Sequence, residues 1–358
     1  MNSALRVIIL TPTALPNLTG NAISAERWRR ALSQKGIVVN VIETQNLNAK
    51  CLVDVLDRFH PHVVHAHHIS RAGALMLDPL VAEKYGHLPF VVSPGGTDIN
   101  LHAMKGAGMK IVGKTCRMAR SIIAQSPEIA CLLQELLPDL KERIAAVPKS
   151  FLWLGKDDFD LRAVAGCRQE DILFFMPAGI RPVKGNLECL CAMEKAHETS
   201  PKIRVVFAGP ALDVRYATRF EEEIKRLGSF AKWILQIPPK AMHVAYEGAD
   251  VILNHSSSEG LSNSLLEAMA VGRPILASDI PGSRWLIRDE KGIGPCGCLF
   301  EPGDRVDFVR KVLQLASDPV FRESLAANGR LRAAAWPGPS DEAQALLKVY
   351  EASIRGSC

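Results

Sequence analysis

The stretch NHSSSEGLSNSLLEAMAVGRPILASDIPG, residues 254–282, decides how the rest of the chain is read. It follows an apolar run at 251–253, enters a helix near Ser262, and leads into a second apolar run at 274–277. Short apolar runs on either side of a helix read as buried parallel strands, so the unit is strand, loop, helix, strand. The loop is small and polar. Ser256, Ser257, Ser258, Gly260 and Ser262 leave backbone amides open where the helix begins, and the helix dipole favours an anion there. Two carboxylates flank those amides, Glu259 in the loop and Glu267 inside the helix. They would repel a bare phosphate, so they are assigned to neutral hydroxyls. A ligand with a diphosphate between two polyols satisfies both halves of the pattern.

Upstream, a strand expected at 173–176 runs into PAGIRPVKGN, residues 177–186. Arg181 and Lys184 lie in that loop at the strand's carboxyl end, where both reach one diphosphate. The guanidinium offers a planar fork and the ammonium a point charge. The R-x-x-K pair, the E-x7-E spacing and the run EAMAVGRPILASDIPG at 267–282 together resemble the donor-binding pattern of the retaining glycosyltransferases of family 4, also called glycosyltransferase group 1.

That resemblance implies an α/β chain of the GT-B fold: two facing Rossmann-like domains with parallel sheets and a C-terminal crossover helix. It implies catalytic roles for Arg181, Lys184 and Glu259. The two cations and the amides of Gly260, Leu261, Ser262 and Asn263 would stabilise the leaving diphosphate. Glu267 would hold ribose hydroxyls, Glu259 the sugar's hydroxyls, and Gly209 would line the donor site after the strand at 203–208. Transfer would retain anomeric configuration and need neither metal nor cofactor. The nucleotide sugar, expected to be a UDP-sugar, is a substrate, and the acceptor is left unidentified. Two other readings share the diphosphate site: a nucleotide-sugar epimerase of the same fold, and a non-catalytic nucleotide-sugar-binding protein.

The chain's 358 residues make roughly two domains. Hydrophobic and charged contents of 47% and 23% are those of an ordinary globular protein, and a net charge of +5 is too small to argue for nucleic acid. Nine scattered cysteines form no disulfide framework and point to a reducing cytoplasm. Cys189 with Cys191, and Cys296 with Cys298, read as small buried residues rather than metal ligands. The apolar run near the N-terminus is too short to span a membrane and lacks a cleavage-site pattern, so it reads as a first strand.

In the N-terminal half, strands expected at 6–10, 37–43, 63–67, 90–93, 121–125 and 144–147 alternate with helices at 24–35, 49–58 and 72–83. A loop with Gly20 and Asn21 follows the first strand. Its phrase TGNAISAERW, residues 19–28, is similar to two narrower subgroups, the glycosyltransferase 1 domain-containing proteins and the bacterial selenosugar synthases. The resemblance places Gly20 and Asn21 near the donor phosphates and the acceptor.

His60, His62, His65, His67 and His68 crowd one strand end, with His65 and His67 on one face. They read as buried histidines without chemistry, as an H-x-H pair able to hold a metal though without an acidic or cysteine partner near by in sequence, or, for His67 and His68, as contacts to sugar or acceptor. In SPGGTDIN, residues 93–100, Gly95 stands where many family members carry a histidine. Gly96 and Asp98 are candidate sugar or acceptor contacts there, against the alternative of a tight turn capped by Thr97 or Asp98.

A basic helix is expected over 101–120, with Lys105, Lys110, Lys114, Arg117 and Arg120. It reads as a solvated face or an attractor of an anionic acceptor, with weak peripheral membrane contact as the alternative. Asp158 and Asp160 form a D-x-D pair inside the linker expected at 151–168, a position that argues against a metal. The expected domains are 1–155 on the acceptor side, 156–336 for the nucleotide-sugar donor, and a helix at 337–358 crossing back to the first.

Overall fold

Apolar runs buried on both faces need helices above and below them, and that requirement organises the chain. The computed structural model describes residues 4–99, 106–288 and 292–356. Asn100 and Lys105, with the first five residues of the expected basic helix, lie outside them. The chain divides into two units: Met1–Leu152 with Pro337–Cys358, and Trp153–Trp336. No helix of the described residues is long and apolar enough to cross a membrane.

The N-terminal unit alternates β1 (Arg6–Thr11), α1 (Gly20–Ser33), β2 (Val38–Glu43), α2 (Ala49–Phe59), β3 (Val63–His67), α3 (Pro79–Tyr85), β4 (Phe90–Ser93), α4 (Gly106–Met118), β5 (Ser121–Ala124), α5 (Pro127–Leu136) and β6 (Ile144–Ala146). All its strands pair in parallel, in the order β2-β1-β3-β4-β5-β6. The second unit contains α6 (Leu161–Ala165), β7 (Ile172–Pro177), α7 (Asn186–Thr199), β8 (Ile203–Ala208), α8 (Val214–Leu227), β9 (Ala231–Ile234), α9 (Met242–Gly248) and β10 (Val251–Asn254). It continues through α10 (Asn263–Ala270), β11 (Ile275–Ser278), α11 (Pro281–Ile287), β12 (Gly297–Phe300), α12 (Arg305–Ser317) and α13 (Pro319–Ala334). Its sheet is also parallel, ordered β12-β11-β10-β7-β8-β9.

Each order contains one reversal. The first sheet grows outward from β1 to β2, and β3 then lies on the other side of β1; the second grows from β7 through β8 to β9, and β10 lies on the other side of β7. Loops leaving adjacent strands on opposite faces part at such a point and open a crevice at the strands' carboxyl ends. The switch points β1/β3 and β7/β10 are therefore where each unit can bind a ligand.

The last helix, α14 (Pro339–Arg355), belongs to the N-terminal unit and covers one face of its sheet. Leu346 and Tyr350 pack with Trp28, Val7 and Ile9. Glu342 anchors it. This fully buried carboxylate accepts from Arg27 Nε at 2.7 Å and Nη2 at 3.0 Å, Trp28 Nε1 at 2.6 Å, Gln125 Nε2 at 2.9 Å and Ser150 N at 3.2 Å. Burial pushes its pKa up, and the pull of Arg27 with these hydrogen bonds outweighs it, leaving a net lowering.

Several boundaries differ from the expected ones for local reasons. α1 begins at Gly20 rather than Ser24 because the Thr19 hydroxyl caps it, accepting from Ala22 N at 3.2 Å. The helix expected at 72–83 is a 3-10 turn, Gly73–Leu77, followed by α3, where Asp78 caps and Pro79 starts afresh. β9 ends at Ile234, ahead of Pro238 and Pro239, which have no N–H to give to a ladder. The linker at 151–168 contains α6, and Asp160 of the D-x-D pair caps it by accepting from Ala163 N at 2.8 Å.

Candidate functional site

At the β7/β10 switch point the two expected loops interlock. Ser257 N donates to Val183 O at 2.9 Å, joining the segment after β10 to the Arg181–Lys184 loop after β7. Lys184 Nζ and Glu259 Oε1 form an ion pair, both side chains less than one-fifth exposed. Glu259 Oε1 also accepts from Ser256 Oγ at 2.8 Å and Asn254 Nδ2 at 3.4 Å. Burial raises the pKa of Glu259, but Lys184, Ser256 and Asn254 more than offset this and hold the carboxyl below its ordinary range. Lys184 and Glu259, assigned separately to diphosphate and sugar in the sequence reading, are thus direct partners here.

Asn254, the last residue of β10, organises the loop that follows. Its Oδ1 accepts from Ser256 N at 3.0 Å, and its Nδ2 also donates to Ser262 Oγ at 3.1 Å. Ser262 occupies the N-cap of α10, yet its hydroxyl is turned to Asn254 and to Ser264 Oγ at 2.9 Å and makes no cap bond. With no acidic residue in the first turn, the start of α10 at Asn263 keeps its positive end unneutralised by side chains of that turn. Further along α10, Glu267 Oε2 accepts from the buried Tyr246 hydroxyl at 2.7 Å. Burial and then the carboxylate push the Tyr246 pKa well up, so the phenol stays a donor.

Gly209 directly follows β8, beside the same loops. A Cβ there would lie 2.4 Å from Ala178 O, so only glycine lets the chain pass. The structure therefore gathers Arg181, Lys184, Gly209, Glu259, Gly260, Leu261, Ser262, Asn263 and Glu267 on loops and a helix start at contiguous strand ends of one sheet. Missing from the sequence reading were the side-chain roles of Asn254 and Ser256 on Glu259, and Tyr246 altogether. The first two are signalled by their place in NHSSSE at a strand end; nothing in sequence ties Tyr246 to Glu267.

The β1/β3 switch point carries the second cluster. Asn21 sits in the first turn of α1, and both it and His68 border Gly95: a Cβ on Gly95 would fall 2.8 Å from His68 Cδ2 and 3.3 Å from Asn21 Oδ1. The His68 ring already fills the space any larger residue at 95 would need. His68 itself has φ +86, a left-handed conformation uncommon outside glycine. Asp98 is fully buried; it accepts from Ile69 N at 2.6 Å and Gly95 N at 3.0 Å, so it ties the turn at Gly96 to the end of β3. The capped-turn reading of Asp98 describes what it does in this structure.

His65 and His67 share one face of β3, as alternation requires, and both meet Trp28, at ring separations of 4.9 and 4.8 Å. His65 Nδ1 is 2.8 Å from the Tyr350 hydroxyl and its Nε2 3.0 Å from Ser93 Oγ, which is also 3.0 Å from His67 Nδ1. Burial lowers the His65 pKa to about 3. Burial, then neighbouring charges including Lys149, lowers His67 well below the usual imidazole range. Among the described residues no group of three or more His, Cys, Asp and Glu side chains is placed to hold a metal ion.

Two doubly wound parallel-sheet units, each with a polar cluster at its switch point, define the GT-B fold. Residues 157–332 match the family described as Glycosyl transferases group 1. Glycosyltransferase 1 domain-containing protein 1 of Xenopus tropicalis is 28% identical over 249 residues, 68% of this chain and 70% of that one. D-inositol 3-phosphate glycosyltransferase of Thermomonospora curvata is 27% identical over 250 residues, which span 65% of this chain and 57% of the relative. In structure, sucrose-phosphate synthase from Thermosynechococcus elongatus aligns over 99% of this chain and 100% of its own with a TM-score of 0.81 at 16% identity. HepE of Anabaena, solved in complex with UDP-glucose, aligns over 97% and 100% at 0.77 and 16%. The C-terminal unit carries the group 1 glycosyl transferase domain, which spans just under half of the chain.

Proposed function

We propose that this enzyme is a family 4 transferase that moves a sugar from a nucleoside diphosphate sugar, a UDP-sugar, to an acceptor, with retention and without a metal ion. The observation that carries the reading is the β7/β10 switch point, where the Arg181 loop and the Lys184–Glu259 pair lie at the same strand ends as the start of α10, whose N-cap Ser262 makes no side-chain cap bond. A diphosphate leaving group gathers negative charge as the glycosyl bond breaks, and fixed cations and amides stabilise that charge without reorganising. Glu259, ionised and hydrogen-bonded by Ser256 and Asn254, accepts from sugar hydroxyls, and Glu267, oriented by Tyr246, from ribose hydroxyls. HepE's complexes with UDP and UDP-glucose support a donor of this class. The acceptor binds at the β1/β3 cluster in this reading, and the exposed Lys110, Lys114 and Arg117 of α4 give a weak peripheral contact with anionic lipid.

The test is slow turnover of UDP-sugars in EDTA. The expected products are UDP and a sugar whose anomeric configuration, followed by NMR as it forms, matches that of the donor. An inverted product, or turnover that needs a divalent cation, contradicts the reading.

A further inference from the structure

The loop that carries Arg181 and Lys184 is closed by one buried side chain. Asn186, the first residue of α7, is fully buried, and its Oδ1 accepts from Arg181 N at 3.2 Å. Backbone bonds from Lys184 N to Arg181 O at 3.0 Å and from Gly185 N to Pro182 O at 2.9 Å complete a compact turn. Gly185, at φ +62, presses that turn onto the segment after β10: a Cβ there would lie 2.5 Å from His255 O and 2.6 Å from His255 Nδ1. The His255 ring is itself backed by Phe300 and Phe308, at ring separations of 4.8 and 5.2 Å. Asn186 thus fixes the backbone from which the Arg181 side chain leaves.

The other half of the same amide is unpaired. Asn186 Nδ2 is buried and has no hydrogen-bond partner among the described residues, a costly state for a donor. An aspartate is the same size, would accept from Arg181 N in the same way and would leave no donor unpaired. Geometry alone therefore does not call for asparagine. Charge does. Lys184 already faces Glu259, and a second carboxylate in this loop would neutralise more of the positive charge that an anion meets there. The carboxylate that α7 does carry in its first turn, Glu188, is turned to the Tyr216 hydroxyl, which donates to its Oε2 at 2.6 Å and accepts from Leu187 N at 2.8 Å.

We infer that Asn186 is a positioning residue for the donor's diphosphate: its oxygen sets the Arg181 backbone, and its neutral amide keeps the positive charge of the loop for the ligand. The inference rests on the nucleoside diphosphate reading of this site. A loss on substitution then follows the charge of the ligand rather than the stability of the protein. Asn186→Asp weakens UDP and leaves uridine, which has no phosphate, unchanged.

The test compares UDP, by calorimetric titration, with uridine, by ligand-observed NMR, on wild type, Asn186→Asp and Asn186→Ala, with a urea unfolding curve for each protein. UDP affinity is expected to fall by about tenfold or more in Asn186→Asp, the scale of one added charge near a diphosphate in a partly buried site. Asn186→Ala removes the bond to Arg181 N without adding charge, and a several-fold loss of UDP is expected. Uridine affinity is expected to be unchanged in both. UDP affinity that is unmoved in a variant unfolding like wild type, or a loss of the same size for uridine as for UDP, overturns the inference and leaves the donor reading standing. If Asn186→Asp does not fold, the same comparison on Asn186→Ala decides: a loss confined to UDP upholds the inference, and no loss or an equal loss of uridine overturns it. Failure of the wild type to bind UDP defeats the donor reading and the inference with it.

Discussion

Lys184 and Glu259 lie 75 residues apart in sequence and share one ion pair, and the properties of each are set by the other. Removing the lysine leaves a nearly buried carboxylate without its cation, a change that costs about 3 kcal/mol, the low end for a buried pair because some solvent reaches it. Lys184→Ala is therefore expected to lower the urea midpoint. Glu259→Gln, which keeps the hydrogen bonds from Ser256 and Asn254, is expected to lower it less. Equal midpoints for Lys184→Ala and wild type would show that the pair does not form. The R-x-x-K and E-x7-E spacings were legible because each falls within one strand-to-helix connection. The pairing between them was not, since it depends on β10 lying beside β7. The hydrogen-bonded chain from Tyr350 through His65 and Ser93 to His67 is illegible for the same reason: its members come from β3, β4 and α14.

The histidines give a pH dependence with a definite sign. His65 has a folded pKa near 3 against 6.5 when unfolded, so the unfolded chain binds the extra proton in that window. Stability from its burial is complete above pH 6.5 and is lost as pH falls toward 3, by about 1.4 kcal/mol per pH unit for one proton. Glu259 and Glu342, lowered from 4.5, act only below that value, so the interval between the two isolates the imidazoles. Urea unfolding of the wild type is expected to weaken from pH 6.5 to 4.5; a flat profile there would mean that the imidazoles are not buried neutral.

Among the elements, α1 and α10 bring their N-termini to the two switch points but are capped differently. Thr19 caps α1 with its side chain, whereas Ser262 gives its hydroxyl to Asn254 and Ser264. Thr19→Ala is expected to cost about 1 kcal/mol, the usual worth of a cap. Ser262→Ala is expected to cost less in stability while loosening the loop that Asn254 holds. Comparable losses in chemical denaturation would contradict the assignment of only one of them as a cap. The start of α1 was misread by four residues because Gly20 and Asn21 are poor helix formers, and the Thr19 cap that overrides them is a local bond that composition does not reveal. Long apolar strands such as β1 and β7 were legible almost to the residue. Burial on both faces leaves no alternative pattern for them.

At the scale of the whole chain, the last helix folds with the first unit rather than with the domain it follows. Glu342 carries that connection, so Glu342→Ala leaves Arg27 buried without its partner at a cost of about 3–5 kcal/mol. Hydrogen exchange is expected to quicken in α14, α1 and the strands beneath them and to stay unchanged in β7 to β12. Uniform acceleration in both sheets would show that the two units do not unfold separately. The reversal of strand order in each sheet places both polar clusters; the alternation of strands and helices was legible in the sequence, but the order in which the strands pair was not.

The central claim is that the β7/β10 switch point binds a nucleoside diphosphate through protein cations. Calorimetric titration of UDP, GDP and their sugars in EDTA, into wild type and into Arg181→Ala/Lys184→Ala, tests it most directly. UDP and its sugars are expected to bind the wild type, with affinity lost or reduced at least a hundredfold in the variant. Failure of every nucleotide to bind the wild type, or binding unchanged in a folded variant, would contradict the claim.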